Sequence, residues 1–145
     1  MNLFGLFQIS GSALRAERLR AEVATSNLAN AETTRTAEGV PYRRRMVTFA
    51  SQPTNSFHLL LAHSAASADE GGVRVSGIVE DTTPPERRYE PGHPDADADG
   101  YVAYPAINPM QEMVDLMGSE RAYEMNASAV QATKQMIQQA LGILK

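Results

Sequence analysis

Large apolar residues return at every seventh position near the end of the chain: Leu116, Tyr123, Val130, Ile137 and Leu144. A repeat of seven keeps to one side of an α-helix and makes a seam for another helix. A second row, Gly118, Ala122, Met125, Ala129, Ala132, Met136 and Ile143, steps mostly by three and four. At about 100° per residue it lies roughly opposite the first. This helix is therefore expected to be covered from two sides.

The N-terminal stretch repeats the design. Residues 6–29 read as helix, with Phe7, Leu14, Ala21 and Leu28 in one row. Ile9, Ser12, Ala16, Leu19, Val23 and Ser26 form the other, and Asn27 to Asn30 close the helix. Two apolar faces on each terminal helix are more than pairing them with each other covers. The termini are accordingly expected to order on assembly, one seam facing the chain's other helix and one facing a neighbour. Asn126 falls inside the first stripe, where a polar residue fixes register or sits at a solvated margin.

Between the helices the period changes. Gly39-Val40-Pro41-Tyr42 marks a turn, and Arg43 to Ala50 reads as a strand with Val47 and Phe49 on one face. Residues 51–72 read as a mobile loop or insertion, with room for a short strand at the apolar run Phe57 to Leu61. A second strand over Val73 to Val79 is bulged near Gly77 and ends at Pro84-Pro85. A proline-set turn from Tyr89 to Pro94 precedes a short strand, Tyr101 to Tyr104. Asn108 with Pro109 then opens the long helix. The fold class predicted is mainly α with a small β part, its terminal helices pairing as an antiparallel coiled coil. The parts are an N-terminal assembly helix (1–31), a small β-rich middle domain (32–106) and a C-terminal coiled-coil assembly helix (107–145).

Composition narrows the chemistry. A net charge of −4 argues against binding nucleic acid by phosphate neutralisation. With no cysteine, disulfides, thiol catalysis and cysteine–metal sites are excluded. No apolar run reaches the length of a membrane-spanning helix. The N-terminus lacks a basic region ahead of its apolar part, so a cleaved secretory signal is not expected.

Candidate chemistry is thin. Asp95, Asp97, Asp99 and Gly100 mimic the start of a calcium-binding EF-hand loop, but its twelfth position is Ala106 instead of glutamate. The turn reads as solvated, and no cofactor or metal is expected. His58 and His63 lack further ligands. Glu112, Glu120 and Glu124 read as solvated positions beside the seams. Arg43-Arg44-Arg45 reads as a solvated strand edge, or as a contact with an acidic surface on a neighbour. No nucleophile motif or phosphate loop occurs, and enzyme activity is not expected.

Two groups of residues carry a resemblance. Ser26-Asn27-Leu28-Ala29-Asn30-Ala31 followed by Gly39-Val40-Pro41-Tyr42-Arg43 is similar to the bacterial flagellar basal-body rod family. So are the turn from Tyr89 to Asp95, Asp99-Gly100-Tyr101-Val102, and Glu112 to Met117 running into Arg121 to Asn126. The turn and the C-terminal motif are the more specific part, and point to a proximal rod subunit. The resemblance implies a structural subunit of the axial drive shaft within the periplasm-spanning rod. Such subunits leave the cell interior through the flagellar type III export apparatus.

Implied partners are copies of the chain, other rod proteins, the inner-membrane ring and the export apparatus, with no nucleic acid and no direct membrane span. Asn27, Leu28, Asn30, Met113, Arg121, Tyr123 and Asn126 carry the family motifs, with subunit packing as their implied role. Leu116, Ala122, Met125, Ala129, Val130 and Ile137 join them as seam residues. The alternatives are a helical adaptor or chaperone-like module that captures a partner helix, or a sibling proximal rod protein.

Overall fold

A computed structural model describes residues 3–51 and 71–143. The stretch 52–70, with His58, His63, the run Phe57 to Leu61 and most of the expected mobile loop, lies outside the described residues. Helix α1 spans Leu3–Ala29 and helix α2 spans Pro109–Ile143. Between them come strands β1 (Arg45–Ser51), β2 (Val73–Glu80), β3 (Glu86–Tyr89) and β4 (Tyr101–Tyr104). The chain is mainly helical with a small β part, as its periodicity predicts.

Both helix boundaries follow from local chemistry. At the end of α1, the backbone N–H and side-chain amide of Asn30 both donate to the Ser26 carbonyl. That satisfies one of the carbonyls a helix leaves open at its C-terminus. At the start of α2, Asn108 Oδ1 accepts from the Met110 N–H at 3.0 Å. Pro109 occupies the first helical position, where its missing N–H costs nothing.

The two helices pack along each other in opposite directions. Arg20 reaches Asp115 near the middle of α1, while Asn27 at its end reaches Glu112. With both helices rising about 1.5 Å per residue, Leu3 is level with roughly residues 132–136 of α2. The final turns of α2 run past the start of α1.

The strands form two separate two-stranded antiparallel sheets, β1–β2 and β3–β4. In the first, Val47 pairs with Ile78 and Phe49 with Val75, so one face carries apolar pairs. The register slips between Thr48 and Phe49, leaving Ser76 as the extra residue of a bulge beside Gly77. Ser76 Oγ donates within the bulge to Thr48, whose hydroxyl in turn donates to the Gly77 carbonyl at 2.9 Å. The bulge is thus closed by its own side chains.

This ribbon lies on α1, where the Val73 N–H donates to Ser12 Oγ at 3.0 Å. The second face of α1, expected to need a neighbour, is therefore covered by its own chain. Ser12, Ala16, Val23 and Asn27, spaced by four and seven, are all buried.

Strand β3 is not among the expected elements, since Pro84-Pro85 marks the end of the second strand and a turn is expected from Tyr89. Its four residues, Glu-Arg-Arg-Tyr, are all exposed and lack an apolar period. Pairing with β4 holds it, helped by Arg87 over the Tyr101 ring and Arg88 over the Tyr104 ring at 5.0 and 4.6 Å. Beneath the hairpin Val102 is fully buried.

Candidate functional site

A polar joint ties the end of α1, the start of β1 and the first turn of α2 together. Asn27, 1% exposed, sits at its centre with its amide turned three ways. Its Nδ2 donates to the Arg45 carbonyl at 2.8 Å and to Glu112 Oε2 at 2.9 Å. Its Oδ1 accepts from the Arg45 N–H at 2.9 Å and from the Tyr42 hydroxyl at 3.2 Å. Pairing with both main-chain groups of Arg45 extends the strand's bonding pattern onto a side chain. Only an amide offers a donor and an acceptor at such spacing.

Glu112, 2% exposed, is the acid this joint encloses. Arg44 Nε donates to its Oε1 at 2.6 Å, and Arg44 Nη2 stands 3.5 Å from Asp115. Arg20 reaches Asp115 from α1 at 3.2 Å. Burying a carboxylate is tolerated only where charge and hydrogen bonds compensate it. Here one guanidinium and one amide do so.

Two expectations are corrected. Glu112 is not a solvated margin residue, because its helical position turns it toward Asn27 and Arg44. Nor is the arginine cluster one solvated edge. Arg44, just ahead of β1, turns inward to Glu112, while Arg45 stays outside near Glu80 and the Tyr42 ring. A signal for Glu112 was present, since Glu112, Ser119, Asn126 and Thr133 recur at seven. Three of the four are buried and Asn126 is half-buried, so polar residues take the most deeply buried positions of α2. Ser119, Asn126 and Thr133 return hydrogen bonds to their own helix, with Asn126 donating to the Ala122 carbonyl at 2.8 Å.

The motif residues divide by face. Leu116, Asn126, Val130 and Ile137 lie half-buried on the stripe of α2 that carries Ser119 and Thr133, and Leu28 is half-buried on α1. Ala122 is half-buried and Asn30 closes α1. Met113, Arg121, Met125 and Ala129 are exposed, Met125 at 67%. Tyr123, 44% exposed, borders an open groove between the helices. Of the heptad row, Leu116, Val130 and Ile137 thus face inward, while Gly118, Met125, Ala129, Ala132 and Met136 of the second row are exposed.

The acidic turn has a structural occupation for its central carboxylate. Asp97 Oδ1 accepts from the N–H groups of Asp99 and Tyr101, and Oδ2 meets Arg87. The Tyr101 N–H foremost, with Arg87 beside it, holds the Asp97 carboxyl below the usual carboxylate range. Asp95 anchors the turn to the loop after α1, accepting from Thr34 Oγ1 at 2.8 Å with Arg35 at 3.6 Å.

The paired terminal helices and the polar joint between them lie largely within two stretches that match known protein families. Residues 7–35 match the family described as flagella basal body rod protein. Residues 98–143 match flagellar basal body rod FlgEFG protein C-terminal. The chain belongs to the flagellar basal-body rod protein family.

Its full-length relatives include the flagellar basal-body rod protein FlgC of Bacillus subtilis, 45% identical over 150 aligned positions that cover all of both chains. FlgC of Borreliella burgdorferi is 37% identical, covering 100% of this chain and 99% of the relative. FlgC of Salmonella typhimurium is 38% identical over 97% of each. The two matched families enclose the joint's Asn27 and Glu112, one in each.

Proposed function

We infer that this chain is a structural subunit of the bacterial flagellar basal-body rod, with a FlgC-like place in it. The observation that carries this is full-length identity of 45% to a flagellar rod protein, with no part of either chain left over. The role is mechanical: it requires a folded surface and stiff elements, and no reaction.

The fold supports a particular way of doing that work. Subunits polymerise through α1 and α2, paired as an antiparallel coiled coil, while the β ribbons stand to one side. The polar joint fixes the angle between these parts, so a load on the helices reaches the strands without a flexible link. Neighbours are other copies and other rod proteins, with the inner-membrane ring and export apparatus at the base of the rod. Among the described residues no helix is long and apolar enough to cross a membrane.

Deleting the gene and imaging purified basal bodies tests this reading. Rods should be missing and swimming lost, with both restored when the chain is supplied. Rods that form normally without it would overturn the reading.

A further inference from the structure

Two unpartnered surfaces of the helix pair complement each other. The first is the outward row of α2: Met110, Val114, Met117, Arg121 and Met125, stepping by four and three. At about 100° per residue it lies opposite the buried stripe of Glu112 and Ser119. Its four apolar members are all exposed, Met110 at 69%. Arg121 is its one charge, and among the described residues it enters no ion pair.

The second surface is the groove between α1 and α2, an open hollow of about 650 Å³ lined in part by Ala21 and Tyr123. Glu17, Glu120 and Glu124 line it, and its one base, Arg18, is bound to Glu22 at 2.9 Å. Glu17 Oε2 is buried without a hydrogen-bond partner, and Arg20 Nη1 stands 3.8 Å from it. Buried polar atoms without partners are rare in folded proteins.

We propose that the outward row of α2 of one copy seats in the groove of the next, with Arg121 received by Glu17, Glu120 and Glu124. This rests on the reading of the chain as a polymerising rod subunit, and names the contact. Charge complementarity selects a second copy, because among the described residues the groove has no free cation and the row carries one without an anion. Methionine side chains adapt to an irregular hollow, and a helix in a groove is a common mode of recognition. The contact joins two different surfaces, so it does not close on itself as a symmetric dimer does. Repeated, it builds a ring where the rotation closes and an open helical array where it does not.

The absence of native cysteine makes the test direct. Full-length chains carrying Met117→Cys or Ala21→Cys are mixed at high concentration with a short bismaleimide. The mixture should give a product of twice the chain mass, each variant alone should not, and the double variant should give a ladder. Adding Arg121→Glu to the Met117→Cys chain should lower the yield at least about tenfold. A dimer from Met117→Cys alone, or no product from the mixture, overturns the contact. Rods restored by the double variant but giving no ladder would sink the groove contact and leave the rod-subunit reading standing. Rods that form without the chain would remove both.

Discussion

Asn27 and Glu112 lie 85 positions apart in sequence and meet at 2.9 Å, each almost completely buried. Their contact sets where the second helix begins against the end of the first. Arg44 completes it from the strand side at 2.6 Å. Removing Arg44 leaves an acid buried with only an amide for company. Arg44→Ala should lower stability by about 3 kcal/mol, the low end of the range for breaking a buried pair, since Arg44 keeps some water contact. Urea denaturation measures it. In a double-mutant cycle the further change Glu112→Ala should cost much less than it does alone.

Asn27→Asp changes one atom and reverses the joint's logic. The new carboxylate loses both donations, to the Arg45 carbonyl and to Glu112, and sets a negative charge beside another. We expect a loss of about 2 to 4 kcal/mol at neutral pH. Part of it should be recovered in acid, where one of the two carboxyls binds a proton. A denaturation midpoint equal to that of the parent chain would mean that the amide's donors do not hold the joint.

Two glycines in the left-handed region separate conformation from contact. Gly39, at φ +79°, faces open space, while at Gly100, at φ +82°, an added Cβ would stand 2.9 Å from Tyr89 Cε2 and 3.2 Å from Pro91 Cβ. Gly39→Ala should cost about 1 kcal/mol for the backbone alone. Gly100→Ala should cost more, because the Tyr89 ring and Pro91 must also give way. Thermal unfolding of both variants ranks them, and equal losses would show that the turn absorbs the methyl group.

The depressed ionisation of Asp97 has a definite sign. A carboxyl whose folded value lies below its unfolded value contributes stability that is complete above the unfolded range, about pH 4. That contribution is lost as pH falls through the lower folded value. The Tyr101 N–H is its leading cause, followed by Arg87. An NMR titration should place the Asp97 midpoint below that of an unperturbed aspartate, and Arg87→Leu should raise it. A midpoint in the ordinary range would contradict the turn geometry.

Periodicity made the frame legible. The rows at seven gave both helices, and the Val47/Phe49 alternation with Gly77 gave the bulged ribbon. Nearest-neighbour chemistry gave the entry at Asn108-Pro109. What stayed hidden depends on distant partners. Glu112 looked solvated because a lone glutamate beside a seam is usually so, and its partner Arg44 lies in a cluster that charge alone assigns to the surface. Strand β3 was invisible for a similar reason. An exposed Glu-Arg-Arg-Tyr is held by cross-strand rings, which no period within it reveals. The motif around Asn27 implies packing alone, because its bonds to Arg45 and Glu112 depend on a strand and a helix distant in sequence.

In the proposed assembly the outward face of α2 is open in the free chain and covered in the rod. Peroxide footprinting with mass spectrometry reads this at Met110, Met117 and Met125, all more than half exposed in the single chain. In free protein the three should oxidise readily, and in purified basal bodies they should be protected. Equal oxidation in both states would contradict assembly through this helix.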